Sequence, residues 1–137
     1  MTTPMALKPP APTGTAMDRC LACGCLLGAV VLLRTPFPRL LATIAWLQQR
    51  TPRAANAQQA AEFVAAVAAA GRSARGRVAC LERSLAVTLL GVVRRRRVEW
   101  CIGARLLPYA THAWIEVDGR PVGEPATDRP YLLLLRA

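Results

Sequence analysis

Apolar positions dominate the first half of the chain, and their spacing predicts helices. Residues 1–17 are rich in proline and small side chains, which predicts a mobile tail. Residues 21–33 are apolar throughout, and Arg34 with two nearby prolines ends the run. A membrane-spanning helix needs about 20 apolar residues, so we expect this shorter segment to form a buried helix, with a membrane-surface anchor as the alternative. Residues 40–49 continue as a second short helix.

A capping pattern marks the third predicted helix. The side chain of Asn56 can cap the first turn, and Gln59, three residues later, supplies the reciprocal partner of a capping box. Apolar residues then recur at helical spacing until Gly71, a residue type suited to the left-handed conformation that ends many helices. The sequence therefore predicts a helix that begins after Asn56 and ends at Gly71.

The second half of the chain changes from helical to strand-like patterning. Residues 80–93 have apolar side chains at helical spacing. Strands are expected over residues 98–104, 111–117, 120–124 and 131–135, the last of them buried. The pattern predicts an α+β protein with a single domain over residues 18–137. In it a helical part (18–71) precedes a core (72–137) in which a helix packs on a small antiparallel sheet.

The sequence Asp118-Gly119 predicts a hairpin turn between the second and third strands. Two registers are open at this turn. A two-residue turn pairs Ala113 with Glu124, on the face away from His112. A three-residue loop with Gly119 in the left-handed position pairs His112 with Glu124 on one face. A carboxylate at position 124 can therefore orient the imidazole only with the longer loop.

Composition and charge narrow the functional class. The 137 residues are 53% hydrophobic, which excludes intrinsic disorder, and the net charge of +10 favours acidic partners or surfaces. No aromatic residues interleave with the arginines at 94–97, so we expect no nucleic-acid binding. The five cysteines are an odd number, and three of them fall within six residues, which makes a poor disulfide framework. They favour a reducing, cytoplasmic compartment, with membrane association through the apolar N-terminal half as the alternative. The spacing of Cys20, Cys23 and Cys25 would allow their thiolates to share a zinc ion. Their apolar surroundings favour a role as small packed side chains over metal binding.

Two residues of the second half carry candidate chemistry. Cys80 lies in the first turn of the predicted fourth helix, where unpaired amide groups and the helix dipole stabilise a thiolate. A buried structural cysteine is the alternative at this position. His112 is the single histidine of the chain, so any mechanism that needs an imidazole must use it.

Four stretches resemble the lasso-peptide leader peptidases, which are transglutaminase-like cysteine proteases from bacterial peptide-natural-product clusters. They are Cys80-Leu-Glu-Arg-Ser-Leu-Ala86, Ile102-Gly103-Ala104, His112-Ala-Trp-Ile-Glu-Val-Asp-Gly119 and Pro121-Val-Gly-Glu124. The resemblance covers residues 72–130, in order and at family-like spacing. It implies a transglutaminase/papain-like core and a hydrolase that removes the leader from a ribosomally made lasso-peptide precursor, without a metal or cofactor.

The resemblance also assigns roles by matching positions. Cys80 is implied to be the nucleophile and His112 the general base. The third member, usually Asp in the family pattern, falls on Glu124, with Asp118 as the less favoured alternative. Because Glu124 must face His112, we predict the three-residue loop. The residues expected to line the substrate cleft are Trp114 and Tyr109.

The partners implied by the resemblance are proteins and peptides. They are the precursor peptide, a small leader-binding recognition-element protein and an ATP-dependent, asparagine-synthetase-like lasso cyclase. The chain has no room for the recognition domain ahead of its peptidase part, which fits the stand-alone peptidase half of a split maturation protease. Two other functions stay open: a transglutaminase-like acyl transferase, and a non-catalytic basic adaptor that docks on a membrane surface or an acidic protein.

Overall fold

Helices precede a small antiparallel sheet in the chain. This computed structural model describes residues 16–73, 80–106, 109–123 and 131–137. The helices in this part of the chain are α1 (Ala16–Leu33), α2 (Phe37–Gln49), α3 (Ala57–Ser73) and α4 (Cys80–Val93). The strands are β1 (Glu99–Arg105), β2 (Ala110–Val117), β3 (Arg120–Val122) and β4 (Leu132–Arg136), in the order β3-β2-β1-β4 with antiparallel neighbours. The predicted α+β architecture is confirmed.

Helix α1 differs from the predicted buried helix in its start and its exposure. It begins at Ala16, inside the predicted tail, whose other residues (1–15) lie outside the described chain. Asp18 in the first turn suits the positive end of the helix dipole and favours this earlier start. One face packs on α3 and α4, but Leu27 and Val31 on another face are 69% and 64% exposed. None of the described helices is long and apolar enough to cross a bilayer.

Helix α3 confirms the predicted start and corrects the predicted end. The Asn56 N–H donates to Gln59 Oε1 at 3.1 Å, and the Gln59 N–H donates to Asn56 Oδ1 at 2.8 Å, so the capping box is formed. The prediction that Gly71 ends the helix is wrong, because the helix continues to Ser73. A glycine inside a helix costs only about 1 kcal/mol relative to alanine, so a single glycine does not by itself end a helix.

Helix α4 packs against one face of the sheet. Trp100 of β1 and Ile115 of β2 are paired and belong to the same core as α4, and Trp100 Nε1 donates to Ser84 Oγ at 2.9 Å. Successive side chains of a strand point to opposite faces. The neighbouring pair Cys101 and Trp114 is also buried, and it therefore lies on the face away from α4.

The β2–β3 hairpin contradicts the predicted three-residue loop. Asp118 (φ 52°) and Gly119 (φ 75°) form a two-residue turn between directly paired strand ends. The Asp-Gly sequence favours this turn because both central residues need positive φ, and its twist matches that of the strands. Strand β3 ends at Val122, two residues earlier than predicted, and Glu124 lies outside the described residues.

Strand β4 was predicted to be buried, and this prediction is wrong. Leu132, Leu133 and Leu134 are 72%, 39% and 63% exposed, and β4 is the last strand at one edge of the sheet. A run of leucines predicts burial only where other elements cover both faces of the strand. The ladder between β1 and β4 shifts register at Ile102 and Gly103, where β4 carries one extra residue.

Candidate active site

Cys80 stands at the position that the sequence predicted. It is the first residue of α4 and its side chain is exposed to solvent. The first amide groups of a helix have no intrahelical acceptor, so they point toward any anion at the helix start. The position therefore combines access for a substrate with donors that stabilise a thiolate or an oxyanion.

The other cysteines divide into exposed and buried thiols. Cys20 and Cys23 are exposed on α1, whereas Cys25 and Cys101 are buried. Burial raises the pKa of the Cys25 thiol, and it raises the pKa of Cys101 to about 11 although a hydrogen bond with Arg136 acts in the opposite direction. The two buried thiols are therefore protonated and poorly reactive near neutral pH.

His112 lies half-buried on β2, inside a cluster of aromatic rings. Its ring stacks on Trp114, with 6.0 Å between ring centres and an interplanar angle of 17°. The Tyr131 ring is 5.2 Å from His112 and 6.1 Å from Trp114. The guanidinium carbon of Arg105 lies 5.0 Å from the centre of the Tyr131 ring. These contacts restrict the orientations that the imidazole can adopt.

Trp114 is itself held by a buried carboxylate. Trp114 Nε1 donates to Glu116 Oε1 at 3.0 Å, and Arg136 Nη2 donates to Glu116 Oε2 at 2.7 Å. Arg136 Nε also pairs with Glu99 Oε2 at 3.2 Å. Glu116 is only 6% exposed, and its charge is matched by that of Arg136. The network fixes the indole ring against which the His112 ring stacks.

Gly103 makes the close packing of the indole possible. It pairs with His112 across β1 and β2. A Cβ atom at Gly103 would lie 2.5 Å from Trp114 Cη2 and 2.7 Å from the carbonyl oxygen of Leu132. The glycine that belongs to the resemblance motif therefore has a steric role: it leaves room for the ring that contacts His112.

Cys80 and the ring of His112 lie on different sides of the sheet. Cys80 begins α4, about 6 Å along the helix axis from Ser84, whose Oγ accepts the hydrogen bond from Trp100 Nε1. The ring of His112, however, stacks with Trp114 on the face away from α4.

Of the two candidate acidic residues, the structure describes only Asp118. Asp118 is exposed at the hairpin tip, and the strand from His112 to Val117 separates it from the imidazole by about 16 Å. Asp118 is therefore too far from His112 to orient its ring. Glu124, the favoured third member, lies outside the part of the chain that the structure describes.

Gly123 follows β3 and is closely packed against α3. A Cβ atom on Gly123 would lie 2.8 Å from Val64 Cγ1 of α3. Gly123 also has a positive φ (74°), a backbone conformation that favours glycine. Both the close approach to α3 and the backbone conformation therefore require a glycine at this position.

The two residues predicted to line the cleft differ in accessibility. Tyr109 is 73% exposed, whereas Trp114 is only 7% exposed and packs beside His112. The sequence analysis missed Tyr131 and Arg136, which reach the cluster only because β4 pairs with β1. The alternation of side chains along β2 places Glu116 on the same face as His112 and Trp114, and this was the signal that could have identified its bond to Trp114.

A comparison with family models identifies the class of the protein. The model described as the transglutaminase-like superfamily matches residues 24–136, and the chain therefore belongs to that superfamily. The match begins within α1 and includes the other helices, the sheet and both Cys80 and His112. Proteins of this superfamily are generally cysteine proteases or acyltransferases, so the chain has a domain of that enzyme type. No significant match was found among curated proteins or solved structures.

Proposed function

We propose that the chain is a cysteine peptidase that removes the leader from a ribosomally made lasso-peptide precursor. The observation that carries the proposal is the exposed thiol of Cys80 at the start of α4, within a matched transglutaminase-like domain. The imidazole of His112, which contacts the rings of Trp114 and Tyr131, supplies the base. The resemblance of residues 72–130 to the leader peptidases supports the choice of substrate.

The proposed chemistry uses a thioester intermediate. His112 takes the proton of Cys80, and the thiolate attacks the scissile carbonyl. Amide groups at the start of α4 stabilise the negative oxygen of the tetrahedral intermediate. As the C–N bond breaks, the imidazolium of His112 gives its proton to the leaving amine of the core peptide. Water, deprotonated by the same imidazole, then hydrolyses the thioester and releases the leader acid and the thiol.

The proposal requires the two groups to meet at the end of β2. Strand β3 pairs with residues 115–117 at the other end of β2. Catalysis requires the thiol and imidazole to come within hydrogen-bond reach at the end that carries His112, with the first turn of α4 or the imidazole moving from the position described. Helix ends open at lower cost than core segments, which makes the first turn of α4 the suitable mobile part.

We propose Glu124 as the residue that orients the imidazole. The match of this position to the usual Asp of the family pattern supports the proposal, and Glu124 itself lies outside the described residues. The recognition-element protein and the lasso cyclase remain proposed partners on the strength of the resemblance.

Substitution of the reacting groups tests the function. Cys80→Ala and His112→Ala are each expected to reduce cleavage of a cognate precursor by roughly 10³-fold or more, because each removes a group that forms or breaks bonds. Cys23→Ala, which removes another exposed thiol, is the matched control and should cleave normally. Circular dichroism should show the same fold in all three variants. Normal cleavage by the Cys80 or His112 variant would refute the peptidase proposal.

Acyl transfer is the second candidate, because the superfamily generally includes both reaction types. Mass spectrometry of the products, with a primary amine present in excess, separates the two. A leader that ends in a free carboxylate indicates hydrolysis. A leader that is found mainly as the amide of the added amine, and not as the free acid, indicates a transferase.

A further inference from the structure

The free edge of β4 is an unusual surface for a small protein. Leu132, Leu133 and Leu134 are all exposed, and β4 pairs on one side only, with β1. Sheet edges usually carry charged residues or proline at such positions, because an apolar edge binds other chains. Among the described residues, β4 has no helix or strand on its outer side.

The backbone of β4 presents hydrogen-bonding groups toward this open side. Trp100 and Ala137 exchange two backbone hydrogen bonds of 2.8 Å each, which makes them a hydrogen-bonded pair. In an antiparallel ladder such pairs alternate with pairs whose N–H and C=O groups point outward. The next pair is Cys101 and Arg136, so the N–H and C=O of Arg136 point away from β1. An extended chain beside β4 would find the backbone N–H and C=O of Arg136 and, from the extra residue Leu134 toward the start of the strand, exposed leucine side chains.

We propose that this edge binds an extended, apolar segment of the precursor peptide as a fifth strand of the sheet; the inference rests on the proposed peptidase function. A peptide brings unpaired backbone groups, as strand addition requires. A second copy of the chain is disfavoured, because each copy carries a net charge of +10. The edge is also continuous with the candidate site, since Tyr131 immediately precedes β4 and contacts His112.

The position of the edge defines which part of the peptide binds there. Neighbouring strands are separated by about 4.8 Å, so a fifth strand lies about 14 Å from β2. An extended chain covers this distance in about four residues, at roughly 3.3 Å each. The bound segment therefore begins at least four residues from the bond that His112 would serve, and a peptide that contains only the immediate cut site cannot reach the edge.

A pair of exposed leucines gives a matched test. Leu134→Glu places a charge on the β4 edge, and Leu134→Lys does so with the opposite sign. Leu27→Glu makes the same change at a similarly exposed leucine on α1. Each variant and the wild type are assayed for kcat/KM on the full-length precursor and on a short peptide with three residues on either side of the cut.

Both Leu134 variants should lose at least ten-fold in kcat/KM on the full-length precursor, and the loss on the short peptide should be at least five-fold smaller. Leu27→Glu should match the wild type on both substrates. In the Cys80→Ala protein, the full-length precursor should also slow hydrogen exchange of the backbone amides in residues 131–137. Circular dichroism confirms that each variant is folded.

Three results would overturn the inference that β4 is a binding edge and leave the peptidase function intact. They are equal losses on the two substrates, no loss in either Leu134 variant, and unchanged hydrogen exchange in residues 131–137. Light scattering that shows a wild-type dimer, which Leu134→Glu converts to a monomer, would assign the edge to a second copy. If the wild type cleaves neither substrate, but the precursor still slows hydrogen exchange in residues 131–137, the peptidase proposal is refuted and the binding of a peptide to the edge is supported.

Discussion

At the scale of single residues, the site is defined by what each side chain contacts. The Glu116 carboxylate holds Trp114, and Trp114 with Tyr131 holds His112, so three residues outside the proposed triad determine where the imidazole lies. The sequence predicted Cys80 at a helix start and His112 on a strand. It did not predict Tyr131 as a contact of His112, because that contact depends on the pairing of distant strands.

The thiols provide a test of the residue-scale account. With a pKa of about 11, roughly one Cys101 thiol in 10³ is ionised at pH 8. Iodoacetamide at pH 8 should therefore modify the exposed Cys20 and Cys23 at least ten-fold faster than Cys101, and raising the pH toward 11 should increase the Cys101 rate. Peptide mass spectrometry measures each site. In guanidinium chloride all the cysteines should react alike; equal rates in the folded protein would contradict the account.

The third member of the proposed triad is also tested by single substitutions. Glu124→Gln should lower kcat by roughly 10²-fold or more, since a neutral amide stabilises an imidazolium less well than a carboxylate does. Asp118→Asn should leave kcat within about two-fold, because the hairpin tip lies about 16 Å from His112. The comparison uses precursor cleavage at one pH. A larger loss in the Asp118 variant would reassign the role.

At the scale of elements, side chains close together in the sequence were sufficient to predict a helix start and a turn. Features that depend on contacts between distant segments were not predicted. The capping box of α3 and the hairpin at Asp118-Gly119 follow from side chains within four residues of each other. The length of the hairpin loop was predicted wrongly because the assumed role of Glu124 was given more weight than the turn preference of Asp-Gly. The exposure of β4 was missed because it depends on which elements cover the strand.

Gly103 allows an element-scale prediction. Gly103→Ala should destabilise the fold by about 1–3 kcal/mol, because the new methyl group overlaps the indole of Trp114 and the backbone of β4. Gly24→Ala on α1 is the control: its Cβ would meet nothing within 4 Å, and alanine should stabilise the helix by about 0.5–1 kcal/mol. Urea unfolding measures both. Equal stability of the Gly103 variant and the wild type would contradict the packing described for Trp114.

At the scale of the whole molecule, membership of the transglutaminase-like superfamily and the α+β fold agree. The family match begins at residue 24, within α1, and includes α3; both helices pack on α4, the helix that begins with Cys80. In the conformation described, the sheet separates Cys80 from the ring of His112. The central claim is therefore that these two groups meet during catalysis.

A bifunctional reagent that bridges a thiol and an imidazole tests this claim most directly. The chain contains one histidine, so every cysteine–histidine bridge that 1,3-dibromoacetone forms must include His112. The account predicts that peptide mass spectrometry will find Cys80 bridged to His112 in the folded protein, with Cys20 and Cys23 modified but not bridged to His112. If Cys80 is alkylated and His112 is never bridged to it, with a precursor analogue present or absent, the claim is contradicted.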